Sequence, residues 1–309
     1  MKKGLVYRST GSNYAVESEG QFYNCRIKGK MRLQGIQSTN PIAVGDHVFF
    51  EEVEHAEKPE GNITEIEERK NYIVRKSVNL SKQTHIIASN IDQAFLMITL
   101  NNPPTFPAFI DRFLVTAEAY HITAVLLFNK IDSYTQSELE ELRVLKRVYE
   151  SIGYQTLEIS AKIGLNMKAV QALMKNKISM ISGHSGVGKS TLINFIAPGL
   201  DLKTASLSEQ YRQGTHTTTY AEMFALEDGI KIIDTPGIKG FGVVDMAIEE
   251  IGNYFPEFLK RRTECKFHNC LHQKEPQCAV LEAVEEGIIA RSRHDSYLQL
   301  LLGDNTYRM

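Results

Sequence analysis

The octapeptide Gly183-His184-Ser185-Gly186-Val187-Gly188-Lys189-Ser190 fits the pattern G-x-x-x-x-G-K-[ST]. The chemistry such a stretch can do is hold phosphate. Glycines let backbone N–H groups turn toward an anion, and a helix that follows adds the positive end of its dipole. Lys189 is expected to reach the β and γ phosphates and the Ser190 hydroxyl to ligate Mg2+, with Thr191 opening the helix behind them. These groups need a strand before the loop and a helix after it. Lys177–Ser182 reads as a buried strand and Thr191–Ile196 as the start of a helix. The stretch predicts a nucleotide site.

A second set of residues names the base. Asn129-Lys130-Ile131-Asp132 ends an apolar run, Thr123–Phe128, and Ser160-Ala161-Lys162 ends the next one, Tyr154–Ile159. A carboxylate at Asp132 can accept from both the N1–H and the exocyclic amine of guanine, a donor pair that adenine lacks. Asn129 is expected either to fix the loop or to reach the base. The aliphatic stem of Lys130 would cover the ring, and the Ala161 N–H is a candidate donor to the guanine oxygen. GTP and GDP are therefore the expected ligands.

Two further segments have the make-up of γ-phosphate sensors. Gly214-Thr215-His216-Thr217-Thr218-Thr219 follows a polar stretch without periodicity. A hydroxyl of Thr217 or Thr218 could complete the magnesium shell only while triphosphate is bound; a β-prone threonine run opening the strand Tyr220–Leu226 is the plainer reading. Ile230–Ile233 then delivers Asp234-Thr235-Pro236-Gly237. This D-x-x-G pattern would set a carboxylate near magnesium and the Gly237 N–H near the γ-phosphate. Many GTPases orient the attacking water with a glutamine after this motif. Ile238 stands there and cannot polarise water, so His216 is the candidate to position it, against a solvated loop histidine.

The fourth set is Cys265-x4-Cys270-x-His272-x5-Cys278. Three thiolates and one imidazole make a closed tetrahedral zinc set, which argues for one structural Zn2+. In a segment with little core the metal would supply much of the folding energy. His268 rivals His272 as the fourth ligand. Cys25 lies far off on an expected strand and reads as core.

The elements that must position these groups follow from the patterning. Five short alternating strands, Gly4–Ser9, Tyr14–Ser18, Gln21–Ile27, His47–Val53 and Gly61–Glu67, suit a small closed barrel such as an OB-fold, with an SH3-like barrel as the alternative. Residues 69–90 read as a connector. Helical and extended patterns then alternate, which predicts an α/β domain with a mainly parallel sheet; its helices fall at Pro107–His121, Ser137–Ile152 and Asn166–Lys175. Beyond Asp245 the text turns helical, at Ala247–Tyr254, Glu257–Arg262, Ala279–Glu286 and Arg291–Leu302. The expected domains are a barrel at 1–70, a GTPase domain at 71–243 and a mostly α, zinc-binding domain at 244–309.

With 309 residues, 42% hydrophobic and 23% charged, the composition is that of a globular protein. The net charge of −2 gives no global nucleic-acid signature. Charge is segregated, however. Basic residues gather at 1–35 and from Arg69 to Lys82, with an acidic stretch at 51–68 between them. The Arg26–Arg32 stretch, behind Phe22 and Tyr23, would form an exposed basic hairpin able to meet RNA. Arg291, Arg293 and His294 are further RNA candidates, with a solvated helix face as the equal reading. Four cysteines and no apolar run of membrane-spanning length fit a reducing, cytoplasmic setting without membrane attachment. No coiled-coil or repeat suggests more than a monomer.

The base-recognition motifs precede the phosphate loop and both switch segments, which is a circular permutation of the ordinary GTPase order. That order, the barrel before it and the cysteine cluster after it closely resemble the bacterial RsgA (YjeQ, YloQ) family, across essentially the whole chain. The resemblance implies a GTPase of small ribosomal subunit biogenesis. Its members bind the small subunit and its rRNA late in maturation, and the subunit stimulates hydrolysis that is slow alone. The resemblance also implies an N-terminal OB barrel and a C-terminal zinc domain, a hydrophobic residue in place of the glutamine, and His272 as the fourth zinc ligand. An RNA-binding assembly scaffold, with nucleotide in a structural or regulatory role, is the main alternative.

Overall fold

The computed structural model describes residues 1–27, 41–76, 84–198, 221–234 and 246–303. The expected switch residues His216, Thr217, Thr218 and Gly237, the side chain of Asp234 and most of the Arg26–Arg32 stretch lie outside what is described. The described chain forms two compact units. One comprises residues 1–93, 168–181 and 197–238; the other comprises 94–167, 182–196 and 239–309.

The first unit opens with β1 (Lys2–Ser9), β2 (Tyr14–Ser18), β3 (Gln21–Ile27), β4 (His47–Glu52) and β5 (Glu60–Ile66). They pair in the order β1-β2-β3-β5-β4, and β4 returns to β1, so the sheet closes on itself. All neighbours are antiparallel except β3 and β5. This is an OB-like barrel. Every second residue points inward, as strand geometry demands, and Val6, Tyr14, Val16, Tyr23, Cys25, Val48, Phe50 and Ile63 fill the interior. Tyr23 is thus core, tilted against Phe50 at 5.0 Å, while Phe22 is exposed and edge-on to Tyr7.

Residues 69–90 are not a plain connector. They contain an antiparallel ribbon of β6 (Tyr72–Lys76) and β7 (Thr84–Ser89). Its charged ends hid the short strands. Nor does the positive run from Arg69 lie wholly on the surface. The Arg69 guanidinium is buried and donates twice to Asp46, at 2.6 Å each, and once to the Pro41 carbonyl. Asp46, itself fully buried, also accepts from the Ser89 hydroxyl and the Ala43 N–H.

The second unit contains β8 (Gln93–Ile98, whose first residue belongs to the other unit), α1 (Pro107–Ala119), β9 (Thr123–Phe128), α2 (Gln136–Ser151) and β10 (Gln155–Glu158). Strands β10, β9 and β8 lie side by side, the first two in parallel. Helix α1 starts at a proline, whose missing N–H is harmless at that position, and is buried from Ile110 to Ala117 apart from Arg112. Helix α2 starts at a capping box in which Thr135 and Glu138 satisfy each other's backbone N–H groups. The chain then crosses to the first unit for most of α3 (Met167–Met174) and β11 (Ile178–Ser182), whose first and last residues respectively stay with the second, and returns for α4 (Lys189–Ile196). Strands β12 (Glu222–Ala225) and β13 (Lys231–Asp234) belong to the first unit. There β13 runs parallel to β11 and antiparallel to β12, and β12 meets β1 through Arg8 and Glu222.

The C-terminal segment completes the second unit with α5 (Ile248–Ile251), α6 (Pro256–Leu259), α7 (Ala279–Glu285) and α8 (Arg291–Leu301). The first two are single turns, shorter than their apolar spacing suggests, because the chain tightens into a 3-10 turn at Gly252–Tyr254 and restarts at Pro256. Their core gathers Ile251, Phe255, Phe258, Cys278, Val280 and Tyr297 with Val115 of α1. Arg293 and His294 are not available to RNA: they are 1% and 5% exposed. No helix among the described residues is long and apolar enough to cross a membrane.

Candidate functional site

The phosphate loop runs from Gly183 to the first turn of α4. Two of its glycines are required sterically. Gly183 has φ +145°, and a Cβ there would fall 2.8 Å from the Met97 carbonyl; Gly188 has φ +105°, and a Cβ would fall 2.5 Å from Asn129 Nδ2. Any other residue at either place would force the loop off strand β8 or off Asn129. The Lys189 ammonium turns back over the loop and donates to the carbonyls of Gly183 (2.7 Å) and His184 (2.6 Å). Burial lowers its pKa from the ordinary lysine value. The His184 ring lies against Phe109 of α1, centroids 3.8 Å apart. Burial, then the charge of Lys189, lowers the His184 pKa, which keeps the imidazole neutral near pH 7. Ser185 and Gly186 are exposed on the outer curve of the loop, Val187 is buried, Ser190 is half-buried, and Thr191 is exposed.

Asn129 ties three loops together. Its backbone N–H continues the ladder to Ile98 (2.8 Å). Its side chain, 2% exposed, donates from Nδ2 to the Val187 carbonyl of the phosphate loop (2.7 Å) and accepts at Oδ1 from the Ala161 N–H (3.0 Å). Both ends of the amide are thus used within the protein, which is the loop-fixing arrangement. The Ala161 N–H, expected to face the guanine oxygen, is here directed at Asn129. Lys130 takes a left-handed conformation, φ +67°, which swings its amine to the carbonyls of Asn102 (2.5 Å) and Gly186 (2.8 Å). Asp132 is exposed in a short 3-10 turn, and one of its oxygens accepts from the Ser160 hydroxyl at 2.5 Å. Ser160 and Leu165 close the loop between them with a pair of backbone bonds, leaving Lys162 exposed at its tip. The structure therefore brings together Asn129, Lys130, Asp132, Ser160, Ala161 and the phosphate loop.

Two supports of this site carry no signal in the sequence. Tyr134 is buried; its hydroxyl donates to the Asn129 carbonyl and accepts from the Leu100 N–H, both at 2.9 Å. Thr99 and Thr105 lace the loop after β8, through the Thr99 hydroxyl to the Pro103 carbonyl and the Thr99 N–H to the Thr105 hydroxyl. A lone tyrosine five residues after Asn129 looks like any other core residue, and only the fold shows what it holds.

The Cys3His set is assembled as its spacing suggests. The ligand atoms of Cys265, Cys270, His272 and Cys278 all lie within 4.8 Å of one another. His272 Nδ1 is 3.7 Å from Cys265 Sγ and 3.3 Å from Cys278 Sγ, and those two sulfurs are 4.0 Å apart. Tetrahedral sulfur and nitrogen ligands around zinc stand roughly 3.5–3.8 Å from each other, so the cluster fits the ion. His268 is exposed and is not among the four. Burial pushes the Cys278 thiol up to about 12 and raises that of Cys270, so a cation is what would hold these sulfurs as thiolates. The cluster is braced from α8, where the His294 ring meets the His272 carbonyl at 2.8 Å and the Tyr297 hydroxyl donates to Leu271. The Cys278 sulfur also caps α7, accepting from the Leu281 N–H.

Residues 66–244 match the family model for the RsgA GTPase, and residues 3–63 match that for the RsgA N-terminal domain. A protein of Christiangramia forsetii named small ribosomal subunit biogenesis GTPase RsgA is 64% identical, with 99% of this chain and 98% of that one covered. A namesake from Flavobacterium johnsoniae is 58% identical over 98% of this chain and 94% of its own length. Among solved structures, YjeQ from Thermotoga maritima superposes with a TM-score of 0.79 at 34% identity, covering 98% of each chain. YloQ, described as a circularly permuted GTPase, gives 0.76 at 29% identity, over 100% of this chain and 96% of its own. The Asn129–Asp132 and Ser160–Lys162 motifs ahead of the glycine loop, a closed barrel before them, a Cys3His cluster after them and full-length relatives of one kind converge: the chain belongs to the RsgA GTPase family.

Proposed function

We propose that this protein is a GTPase that binds the small ribosomal subunit and its rRNA late in maturation, hydrolysing GTP slowly alone and faster on the subunit. The observation that carries the nucleotide half of this reading is Asn129. One buried amide holds the phosphate loop through Val187 and the guanine loop through Ala161, so base and phosphate recognition are built as one object. The ribosomal half rests on the names of the full-length relatives.

In this reading Gly183 to Thr191 cradle the phosphates, with Lys189 on the β and γ groups. Ser190, Asp234 and Thr218 serve Mg2+, and Gly237 contacts the γ-phosphate. His216 orders the attacking water, and Thr217 or Thr218 senses the triphosphate. Lys130, Asp132, Ser160 and Lys162 form the guanine site, with Asn129 and Ala161 fixing its loops. Cys265, Cys270, His272 and Cys278 hold one structural Zn2+, whose chemistry is to fix the fold of its segment. The working division of the chain is a barrel to residue 70, a permuted GTPase domain to 243 and a zinc domain beyond, in a monomeric, cytoplasmic protein.

The test is GTP turnover by the purified protein, with and without small subunits and with large subunits as control. Strong stimulation by small subunits alone is expected. Tight GTP binding with no stimulation would favour an assembly scaffold in which nucleotide serves binding alone.

A further inference from the structure

Helix α1 touches the phosphate loop on one side and the C-terminal segment on the other. On the first side Phe109 meets the His184 ring, centroids 3.8 Å apart and planes 32° from parallel. His184 also accepts one of the Lys189 ammonium's bonds at its carbonyl. On the second side Asp111, two residues along the helix and fully buried, accepts from Arg293 Nη1 at 2.7 Å. The same guanidinium donates to both oxygens of Glu257, at 2.7 and 3.1 Å, and its Cζ stands 4.5 Å from the Phe255 ring centroid. Burial alone would lower the Arg293 pKa, but Asp111 and Glu257 together outweigh it and raise it. Arg293 is a permanent buried cation between α1, α6 and α8. One turn beyond Asp111, Val115 joins the apolar core that contains Phe255, Phe258, Tyr297 and Cys278.

We propose that helix α1 couples nucleotide at the phosphate loop to the packing of the C-terminal Cys3His segment, through His184 and Phe109 at one side and Asp111 and Arg293 at the other. The coupling rests on the nucleotide reading given above. Lys189 has three protons to donate and gives two to the loop's own carbonyls. Phosphate oxygens compete for that ammonium as anions, which the neutral carbonyls of Gly183 and His184 are not, so the Coulomb attraction of opposite charges favours the phosphate. Drawing the ammonium away from the His184 carbonyl turns that peptide, and the imidazole moves with it against Phe109. A 13-residue helix buried along most of its length moves as a body, because a close-packed interior does not absorb displacement locally. The C-terminal segment follows, since parting Arg293 from Asp111 would strand charge in the interior. Reciprocity requires that tighter packing of α8 also tightens nucleotide binding.

Hydrogen exchange on the full-length protein tests this, with GDP occupancy measured by titration in the same samples. Saturating GDP is expected to slow exchange in α8 by about fivefold, the low end for coupled sites. In Phe109→Leu, which keeps apolar volume but removes the ring stack, GDP still binds and the slowing in α8 disappears. Asp111→Asn cuts the other side of the route, gives the same result, and serves if the first variant does not fold. Unchanged α8 exchange in the wild type at full GDP occupancy would overturn the coupling, as would full slowing in both variants. A wild-type protein that binds no GDP would overturn the nucleotide reading itself, and the coupling with it.

Discussion

Replacing Asn129 by alanine probes the joint on which the proposed nucleotide site rests. The substitution removes two buried hydrogen bonds, Nδ2 to the Val187 carbonyl and the Ala161 N–H to Oδ1. Val187 is 0% and Ala161 4% exposed, so water reaches the stranded groups poorly. Each buried group left without a partner costs about 1–3 kcal/mol, or about 2–6 kcal/mol for the two. Relaxation of the loops recovers part of this in the free protein, and the recovered part must be returned when nucleotide orders them again. A cost of about 2 kcal/mol on binding corresponds to about a thirtyfold rise in the Kd for GDP. Equilibrium titration with a fluorescent GDP analogue measures it, with thermal unfolding of the same preparations as the measure of the remainder. Asn129→Asp sharpens the test: it keeps an acceptor for Ala161 but sets a carboxylate against the Val187 carbonyl, and is expected to bind at least as weakly as the alanine variant. GDP affinity within about threefold of wild type, with unchanged thermal stability, would refute the reasoning.

Asp132→Asn converts an acceptor pair into one donor and one acceptor, which suits xanthine better than guanine; competition between GDP and XDP should shift toward XDP by more than tenfold, and an unchanged ratio would remove Asp132 from base selection. Elemental analysis should find about one zinc per chain in the wild type and less in Cys278→Ser, which can still cap α7 through its hydroxyl; chelation of the wild type should speed hydrogen exchange across 246–303. Arg293→Met leaves Asp111 and Glu257 buried without their cation and should cost about 3–5 kcal/mol in unfolding experiments. Adding Asp111→Leu, which removes one of the stranded carboxylates, should recover part of that loss.

The glycine loop and the Cys3His set are legible because each is a local backbone device. A phosphate loop needs its glycines at fixed spacing, and Gly183 and Gly188 occupy conformations or contacts that reject a Cβ. The Cys3His spacing likewise encodes a short loop that returns on itself. What the sequence hides are partners far apart along the chain. Arg293 reads as an exposed helix cation until Asp111, 182 residues earlier, is seen beside it. Arg69 looks like part of a basic run until Asp46, 23 residues earlier, is found beside it. The ribbon β6–β7 was lost among charges because two five- or six-residue strands carry little periodic signal, and a tertiary partner decides their conformation. Phe109 and Tyr134 are ordinary aromatic residues by spacing, and their contacts with His184 and Asn129 exist only in three dimensions.

The Asp46 cluster bears on where the chain can be cut. By pairing alone the barrel ends with β5 at Ile66. Yet the buried Asp46 carboxylate takes its countercharge from Arg69 and a further hydrogen bond from the Ser89 hydroxyl, and the Gly45 carbonyl accepts from the Asn90 side chain. A fragment stopping before Arg69 would keep an unmatched anion in its interior, and one stopping at residue 70 would still lose the hydroxyl and the amide that close around it. A fragment of this end of the molecule that keeps the cluster whole must therefore run through Asn90 and include the ribbon β6–β7.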